Sequence, residues 1–198
     1  MIKFISPCLD LPYLRFNQEY NNAVKFNQKN VEAIAISSYS QDFNEVNSRF
    51  VNLKFVEDKK FIFFSNYNSP KSQEFENHNQ ISALIFWNET NIQIRLKGMI
   101  KKTSKKYNMN YFQNRSKHKN ALAISSNQSK IIDTYESVKK NYKKSLENDN
   151  LIKCPDYWGG YYFIPYYFEF WEGHISRLNK REVYEIKNKN WIKYKLEP

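Results

Sequence analysis

Strand-like segments follow one another along most of this chain, with helical segments only in the gaps between them. Residues 50–56, for example, alternate apolar and polar side chains, as a strand with one buried face does. A doubly wound sheet needs strands that alternate regularly with helices. The order of segments therefore argues against that class. It favours a mainly β fold with helices (α+β), built as an antiparallel barrel with attached helices.

The same patterns predict individual elements within one domain spanning residues 1–198. Ser69 followed by Pro70 is typical of a helix start, with Ser as the N-cap and Pro at the first helical position. The predicted helices cover residues 12–30, 70–78, 105–113 and 130–147. The predicted strands cover residues 31–37, 50–56, 61–65, 81–87, 92–101, 166–172, 182–187 and 191–196, with a hairpin turn at 58–60.

Glycine is rare, with only 4 residues, so neither a dinucleotide-binding nor a Walker-type glycine-rich phosphate loop can be built. The formal net charge is +11, which favours an anionic partner such as nucleic acid, an acidic membrane or a phosphorylated small molecule. Cys8 and Cys154 form no CxxC motif, which favours a reduced, cytoplasmic protein. Residues 1–14 contain no long apolar run, and we expect no signal peptide and no membrane span.

Cations at the ends of predicted elements are the first candidates for a site. Lys71 lies in the first turn of a predicted helix, where a positive side chain opposes the helix dipole unless an anion binds there. Tyr111 and Arg115 are four residues apart and would share a face if the helix continued. Each of these residues also has an ordinary interpretation as a solvated or packing side chain. No set of His or Cys residues has metal-ligand spacing.

Ordered motifs add to these candidates. They are Arg49 to Lys54 (RFVNLK), Phe64-Ser65-Asn66, Ser69-Pro70-Lys71-Ser72, Gln93, Tyr111 to Arg115 (YFQNR), Gln128-Ser129, Trp158-Gly159-Gly160, Glu169-Phe170-Trp171 and Arg177 to Arg181 (RLNKR). Taken together, this series resembles the pyridoxine 5'-phosphate oxidase family over roughly residues 31–198. The resemblance implies an FMN-binding split barrel and a homodimer with FMN at the interface.

By that resemblance, the residues divide between cofactor and substrate. FMN would be bound by Arg49, Phe50, Val51, Asn52, Leu53, Lys54, Phe64, Ser65, Lys71, Gln93, Trp171 and Arg181, and by Gln128 and Ser129 of the other subunit. The substrate would be bound by Lys54, Tyr111, Arg115, Lys119, Arg177 and Asn179, with Arg177 also the catalytic candidate. The implied substrate is a phosphorylated B6 vitamer, whose C4' hydride passes to the flavin before O2 reoxidises it to give H2O2.

Three residues depart from the family pattern: Pro70 replaces an arginine, Lys119 a serine and Asn179 a histidine. Two alternatives remain at this stage. One is a flavin oxidase of the same fold that acts on another ring, as in phenazine pathways. The other is a protein that binds flavin or nucleic acid without turnover. The small-ligand interpretation already accounts for Arg49, Lys54, Lys71 and Arg115, so we expect neither a nucleic-acid nor a membrane partner.

Overall fold

A computed structural model describes residues 1–198. It contains ten strands and five α-helices, with a short 3₁₀ turn at Asn88–Thr90. The helices are α1 (Leu11–Lys25), α2 (Pro70–Asn77), α3 (Lys105–Gln113), α4 (Lys117–Ser125) and α5 (Tyr135–Asn148). The strands are β1 (Lys3–Ile5), β2 (Ala33–Ser40), β3 (Glu45–Asn52), β4 (Phe55–Glu57), β5 (Lys60–Asn66), β6 (Gln80–Trp87), β7 (Ile92–Lys102), β8 (Trp158–Glu172), β9 (Lys180–Lys187) and β10 (Asn190–Leu196).

All ten strands belong to one sheet, in the order β1-β4-β5-β8-β7-β6-β2-β3, with β9 paired to β8 and β10 to β9. Strand β3 ends this order, whereas β4 lies near its other end, yet only Leu53 and Lys54 separate them in sequence. The Leu53 N–H donates to the Glu32 carbonyl at 2.8 Å, and the Lys54 N–H donates to the Ile62 carbonyl at 2.8 Å. These two residues therefore join opposite ends of the sheet and bend it into a barrel.

The barrel interior is filled with aliphatic and aromatic side chains, and α1 packs against the same core. Phe16 of α1 is fully buried and meets Phe61 of β5 with ring centroids 4.9 Å apart. Tyr13, on the same helix, meets Phe168 of β8 edge-on at 5.1 Å. Buried ring pairs of this kind combine a large apolar area with specific geometry. The face of α1 that carries Tyr13 and Phe16 is thus the surface that packs on the barrel.

The fold class predicted from the sequence is confirmed, and most elements fall where the patterns placed them. Helix α3 has the predicted bounds, and α2 begins at Pro70 with Ser69 as its N-cap. The predicted turn at 58–60 joins β4 and β5, with Asp58 at a φ of 48°. The strands are not all antiparallel, because β1 pairs with β4 in parallel.

Other boundaries were wrong. The predicted strand 50–56 is two strands, because the backbone turns at Leu53 and Lys54 to cross between the ends of the sheet. Helix α1 ends at Lys25 rather than near residue 30, where Asn27 and Asn30 adopt positive φ angles. The predicted helix 130–147 begins only at Tyr135. Strand β1, helix α4 and the first eight residues of β8 were not predicted.

Candidate active site

A cavity of about 530 Å³ opens between β3, β5, the start of β8 and helices α2 to α4. Its only charged lining residues are cations, and no Asp or Glu lines it. The lining comprises Phe50, Val51, Asn52, Lys54, Phe64, Ser65, Asn66, Lys71, Tyr111, Arg115, Lys119, Leu122, Ala123, Ser126, Gln128 and Trp158. A concave site with one sign of charge concentrates an anionic ligand.

Lys71 provides the cation at the α2 end of this cavity. The residue is 7% exposed, and its Nζ donates to Ser65 Oγ at 3.2 Å and to Ser69 Oγ at 3.1 Å. No carboxylate forms a salt bridge with it. Burial, together with the nearby Arg49 charge, lowers the pKa of Lys71 to about 8. A buried ammonium held only by hydroxyl groups, at a helix N-terminus, is suited to binding an anion.

Arg49 lies beside Lys71 but does not line the large cavity. Its NH2 group donates to Glu74 Oε2 at 2.8 Å, and its NH1 group also donates to the hydroxyl of Ser38. Glu74 is itself buried, with a side chain that is 7% exposed. Arg49 lines a smaller cavity of about 280 Å³ with Glu74 and Asn47. In this arrangement, Arg49 compensates a buried carboxylate.

Three cations line the other part of the cavity: Lys54, Arg115 and Lys119. Burial lowers the pKa of Lys54; Glu32 opposes this shift, while the charges of Lys119 and Arg115 add to it. Burial also lowers the pKa of Arg115. Lys54 therefore lies close enough to Arg115 and Lys119 for their charges to disfavour its own without a ligand. A dianion bound among them would relieve that repulsion.

Stacked aromatic rings form part of the cavity wall beside Arg115. The ring of Tyr111 stacks on that of Phe64 at 3.8 Å, and Phe64 is nearly parallel to Trp158 at 5.2 Å. The guanidinium carbon of Arg115 lies 4.7 Å from the centre of the Trp158 ring. The four-residue spacing would place Tyr111 and Arg115 on one face only if the helix continued. Helix α3 instead ends at Gln113, and Arg115 reaches this position through the turn that follows. The wall therefore orients both Tyr111 and Arg115.

Gly159 and Gly160 allow α3 to approach β8 closely. A Cβ atom on Gly159 would lie 2.2 Å from Tyr67 Oη, and one on Gly160 would lie 2.6 Å from Thr103 Oγ1. Asn108 of α3 fills this space, accepting from the Gly160 N–H at 2.8 Å and donating to Tyr67 Oη at 3.0 Å. The two glycines thus seat the helix that carries Tyr111.

Residues 49–54 divide between the cavity and other surroundings. Phe50, Val51, Asn52 and Lys54 line the cavity, whereas the side chain of Leu53 is fully buried in the core. Phe64 and Ser65 line it from β5. Five other lining residues had no site role assigned from the sequence, although two of them, Asn66 and Trp158, lie in the quoted motifs: Asn66, Leu122, Ala123, Ser126 and Trp158. Helix α4 was not predicted, which explains the absence of Leu122 and Ala123.

Gln128 lines the cavity of its own chain, where its Oε1 accepts from the Asn66 N–H at 3.4 Å. Ser129, the next residue, is exposed with a φ of 66° and does not line the cavity. The resemblance assigned both residues to the site of the other subunit. The position of Gln128 also brings it to the Lys71 side of the cavity within one chain.

Three expected flavin contacts form a row elsewhere on the sheet. Gln93 of β7 pairs with Trp171 of β8, and Trp171 pairs with Arg181 of β9. Glu169, which is 1% exposed, accepts from the Arg181 Nε at 2.9 Å and from Arg95 at 2.9 Å. These bonds fix the guanidinium of Arg181. None of the row lines the cavity of the same chain.

The loop between β8 and β9 carries the remaining two expected residues. Arg177 is exposed with a φ of 58°, and its N–H donates to the His174 carbonyl at 2.9 Å. Asn179 Oδ1 accepts from the His174 N–H at 3.0 Å. Neither residue lines the large cavity. Within one chain, the structure therefore separates Arg177 and Asn179 from Lys54, Tyr111 and Arg115.

Comparison with known proteins identifies the family. Residues 158–198 match the family described as the pyridoxine 5'-phosphate oxidase C-terminal dimerisation region. The chain is 31% identical over 191 residues to pyridoxine/pyridoxamine 5'-phosphate oxidase 2 of Hydrogenovibrio crunogenus, covering 96% of this chain and 89% of that protein. The chain belongs to the pyridoxine 5'-phosphate oxidase family.

Solved structures show that the fold is that of pyridoxine 5'-phosphate oxidase relatives. The chain superposes with a TM-score of 0.89 on PhzG of Burkholderia lata, crystallised with tetrahydrophenazine-1-carboxylic acid, at 24% identity and covering 94% of this chain and 92% of that one. A pyridoxamine 5'-phosphate oxidase-related, FMN-binding protein of Nostoc punctiforme gives a TM-score of 0.77 at 12% identity, covering 92% and 97%. None of the helices combines the length and the apolar character needed to cross a bilayer.

Proposed function

We propose that this chain is an FMN-dependent oxidase that converts pyridoxamine 5'-phosphate, pyridoxine 5'-phosphate or both to pyridoxal 5'-phosphate. The observation that carries the proposal is a single cavity with two cationic regions and no acidic lining residue. One region suits the phosphate of FMN and the other the phosphate of the vitamer. Family membership, at about 31% identity to a protein named as this oxidase, supports the same activity.

The residues around Lys71 fit the phosphate of FMN. The Lys71 ammonium has only hydroxyl partners and lies in the first turn of α2, which begins at Pro70. Pro70 takes the position of a family arginine, so it removes one cation while still starting the helix. Ser65 and Gln128 add neutral hydrogen-bonding groups to this region. Arg49 supplies positive charge from behind Lys71, although it is bonded to Glu74.

The opposite region fits the phosphate of the substrate. Lys54, Arg115 and Lys119 supply positive charge, and Tyr111 supplies a phenol beside them. Burial raises the pKa of the Tyr111 phenol, which therefore stays protonated and can donate a hydrogen bond to a phosphate oxygen. Charge-assisted bonds of this kind contribute roughly 1.5–3 kcal/mol each. They would favour a phosphorylated vitamer over its unphosphorylated form.

A homodimer would complete the site. Gln93, Trp171, Arg181, Arg177 and Asn179 do not line the cavity of their own chain. The match of residues 158–198 to a dimerisation region includes all of these except Gln93, which pairs directly with Trp171. We infer that each chain, acting as one FMN-binding domain, offers these residues to the cavity of its partner. Gln93, Trp171 and Arg181 would border the flavin, and Arg177 and Asn179 the substrate ring.

When held beside Lys71, FMN would supply the acceptor for the C4' hydride and the route by which two electrons, with two protons, convert O2 to H2O2. Oxidation of pyridoxine 5'-phosphate then gives the aldehyde directly, whereas the amine also takes up water and releases ammonia. The protein positions the substrate by its phosphate and its ring. Arg177 would place a fixed positive charge against the ring, where charge develops as the hydride leaves.

Oxygen uptake with each vitamer phosphate tests this function on the FMN-loaded protein. We expect uptake with at least one vitamer phosphate, together with stoichiometric H2O2 and an absorbance spectrum of pyridoxal 5'-phosphate. Full FMN loading without turnover of either vitamer would refute the B6 assignment. An oxidase acting on another ring would then be the better interpretation. Its substrate need not carry a phosphate that binds to Lys54, Arg115 and Lys119.

A further inference from the structure

Asn120 of α4 lies directly behind Arg115, outside the lining of the cavity. The residue is 1% exposed, and its Oδ1 accepts from Arg115 NH1 at 3.4 Å. Its Nδ2 donates to the Phe112 carbonyl at 2.8 Å and to the Leu151 carbonyl at 2.8 Å. A buried amide with all these partners is rigidly held.

These partners fix which way the amide points. Both backbone carbonyls accept hydrogen bonds, so the NH2 group must face them and the oxygen must face Arg115. The Phe112 carbonyl also accepts from the Arg115 N–H at 3.2 Å, which closes the turn after α3. Asn120 therefore contacts both the turn that carries Arg115 and the guanidinium itself.

The partner of Arg115 is neutral, and this matters for the charge available to a ligand. Arg115 has no salt bridge, although 14 ion pairs occur in the chain. Its face lies on Trp158, and the charged groups near it are Lys54 and Lys119. By contrast, the guanidinium of Arg181 is held by the carboxylate of Glu169. An amide can orient a guanidinium without neutralising it, whereas a carboxylate cannot.

We propose that Asn120 is a positioning residue that aims Arg115 into the cavity while leaving its charge free for the phosphate of the substrate. This inference rests on the proposed function, because it assumes that Arg115 binds a phosphate ester. It predicts that Asn120 affects substrate affinity more than turnover, although Asn120 itself touches no ligand.

Two substitutions separate orientation from charge. Asn120→Ala removes the whole amide, both the oxygen that faces Arg115 and the NH2 group that faces the Phe112 and Leu151 carbonyls, and adds no charge. We expect a KM for the vitamer phosphate that is about 2- to 5-fold higher, the size of the one weak hydrogen bond to Arg115. Asn120→Asp keeps the shape but gives Arg115 a carboxylate partner, and we expect a rise of more than about 10-fold. In both variants kcat at saturation should stay within about twofold, and oxidation of the unphosphorylated vitamer should be unchanged.

Ser145→Ala serves as the stability control, since this buried hydroxyl bonds only to the Ala121 carbonyl, at the contact between α4 and α5. It should lower the melting temperature without changing KM. Equal KM values for Asn120→Ala, Asn120→Asp and wild type would overturn the proposal. So would parallel losses of kcat with phosphorylated and unphosphorylated substrates. If Asn120→Asp does not fold, the KM of Asn120→Ala decides the question alone.

Inorganic phosphate binding to the FMN-loaded protein, measured by calorimetry, separates this inference from the proposed function. If wild type oxidises no vitamer but binds phosphate more tightly than Asn120→Asp does, the proposed function fails and the positioning role stands. If wild type oxidises a vitamer phosphate and both Asn120 variants match it in KM and in phosphate binding, only the positioning role fails.

Discussion

The ammonium group of Lys71 donates to the Ser65 hydroxyl at 3.2 Å, and no carboxylate forms an ion pair with it. The residue is 7% exposed, and the Glu74 carboxylate, which is paired with Arg49, offsets the Lys71 charge only from a distance. Such a group costs free energy in the flavin-free protein and regains it when an anion binds. On the proposed function, Lys71 would link FMN binding to both pH and stability.

Lys71→Met should weaken FMN by roughly 10- to 150-fold, because it removes charge-assisted contacts to the phosphate. In wild type, FMN affinity should fall as pH rises through about 8, since Lys71 loses its proton there when no phosphate is bound. Lys71→Met should lack this pH step. Flavin fluorescence titrations from pH 7 to 9.5 test both statements. A wild-type affinity that is flat across this range would contradict the assignment.

Stability of the flavin-free protein should show the opposite dependence. The folded pKa of Lys71, about 8, lies below its ordinary value of 10.5, so the unfolded state binds more protons between these limits. Unfolding free energy from this residue therefore rises with pH from about 8. Comparison of urea unfolding for wild type and Lys71→Met at pH 7 and 9.5 isolates the effect. An equal change in both proteins would assign it to other groups.

Arg49→Ala should weaken FMN by about 10- to 100-fold, through loss of one charge near the phosphate. It should also lower stability by about 3 kcal/mol, because Glu74 is left buried and unpaired. Adding Glu74→Gln should restore much of the stability but not the FMN affinity. If the double variant recovers both, the contribution of Arg49 to FMN binding is only structural.

Lys119→Ser should raise the KM for the vitamer phosphate by about 2- to 5-fold, since an exposed charge contributes at most about 1 kcal/mol. Lys117→Ser is the matched control, because Lys117 lies in the first turn of the same helix and does not line the cavity. Steady-state kinetics at low salt compares them. Equal KM values for the two variants would mean that the Lys119 ammonium is simply solvated.

A mixed dimer tests whether the sites are shared between chains. Arg115→Ala damages the cavity, and Arg181→Ala damages the row on the sheet. If the row serves the cavity of the partner, a heterodimer of the two variants has one intact site and should regain about half of wild-type activity. If each chain serves itself, every site is damaged and no recovery occurs. Light scattering of the FMN-bound protein should show a dimer.

Asn179→His should change the pH dependence of kcat/KM, because histidine titrates near neutral pH and asparagine does not. FMN affinity should change less. Arg177→Ala should be more damaging than Asn179→His, since no other Lys or Arg lies in the loop at residues 173–179 to replace its charge. Steady-state profiles of the three proteins with each vitamer phosphate provide the comparison. Identical pH profiles for wild type and Asn179→His would exclude Asn179 from the substrate site.

Short sequence patterns predicted the helix start and the turn that depend only on neighbouring residues. Helix α2 begins where Ser69 and Pro70 indicate, and the β4–β5 turn lies where Asp58 indicates. The break at Leu53 and Lys54 had no such signal, because apolar alternation continues through it. Only long-range pairing, with Glu32 on one side and Ile62 on the other, shows where the strand divides.

In the candidate site, too, local motifs predicted some features, whereas others depend on contacts between distant segments. The ordered motifs singled out Lys54, Lys71, Tyr111 and Arg115, and the structure places all four in the lining of one cavity. They could not reveal that Arg49 pairs with Glu74, since charge pairing between distant segments leaves no local pattern. They also gave no reason for Trp158 to lie beneath Arg115, because a motif does not specify which ring faces which cation.

The two-residue link between β3 and β4 has a consequence for how the protein gains its binding ability. Hydrogen bonds on both sides of that link hold Lys54 in the cavity lining, so a chain whose barrel had not closed would lack a complete cationic cluster there. A phosphorylated ligand would then recognise the fully folded protein alone and stabilise it in proportion to ligand concentration. Binding of cofactor and substrate would thus stabilise only the chains whose barrels have closed, and would raise their share of the total.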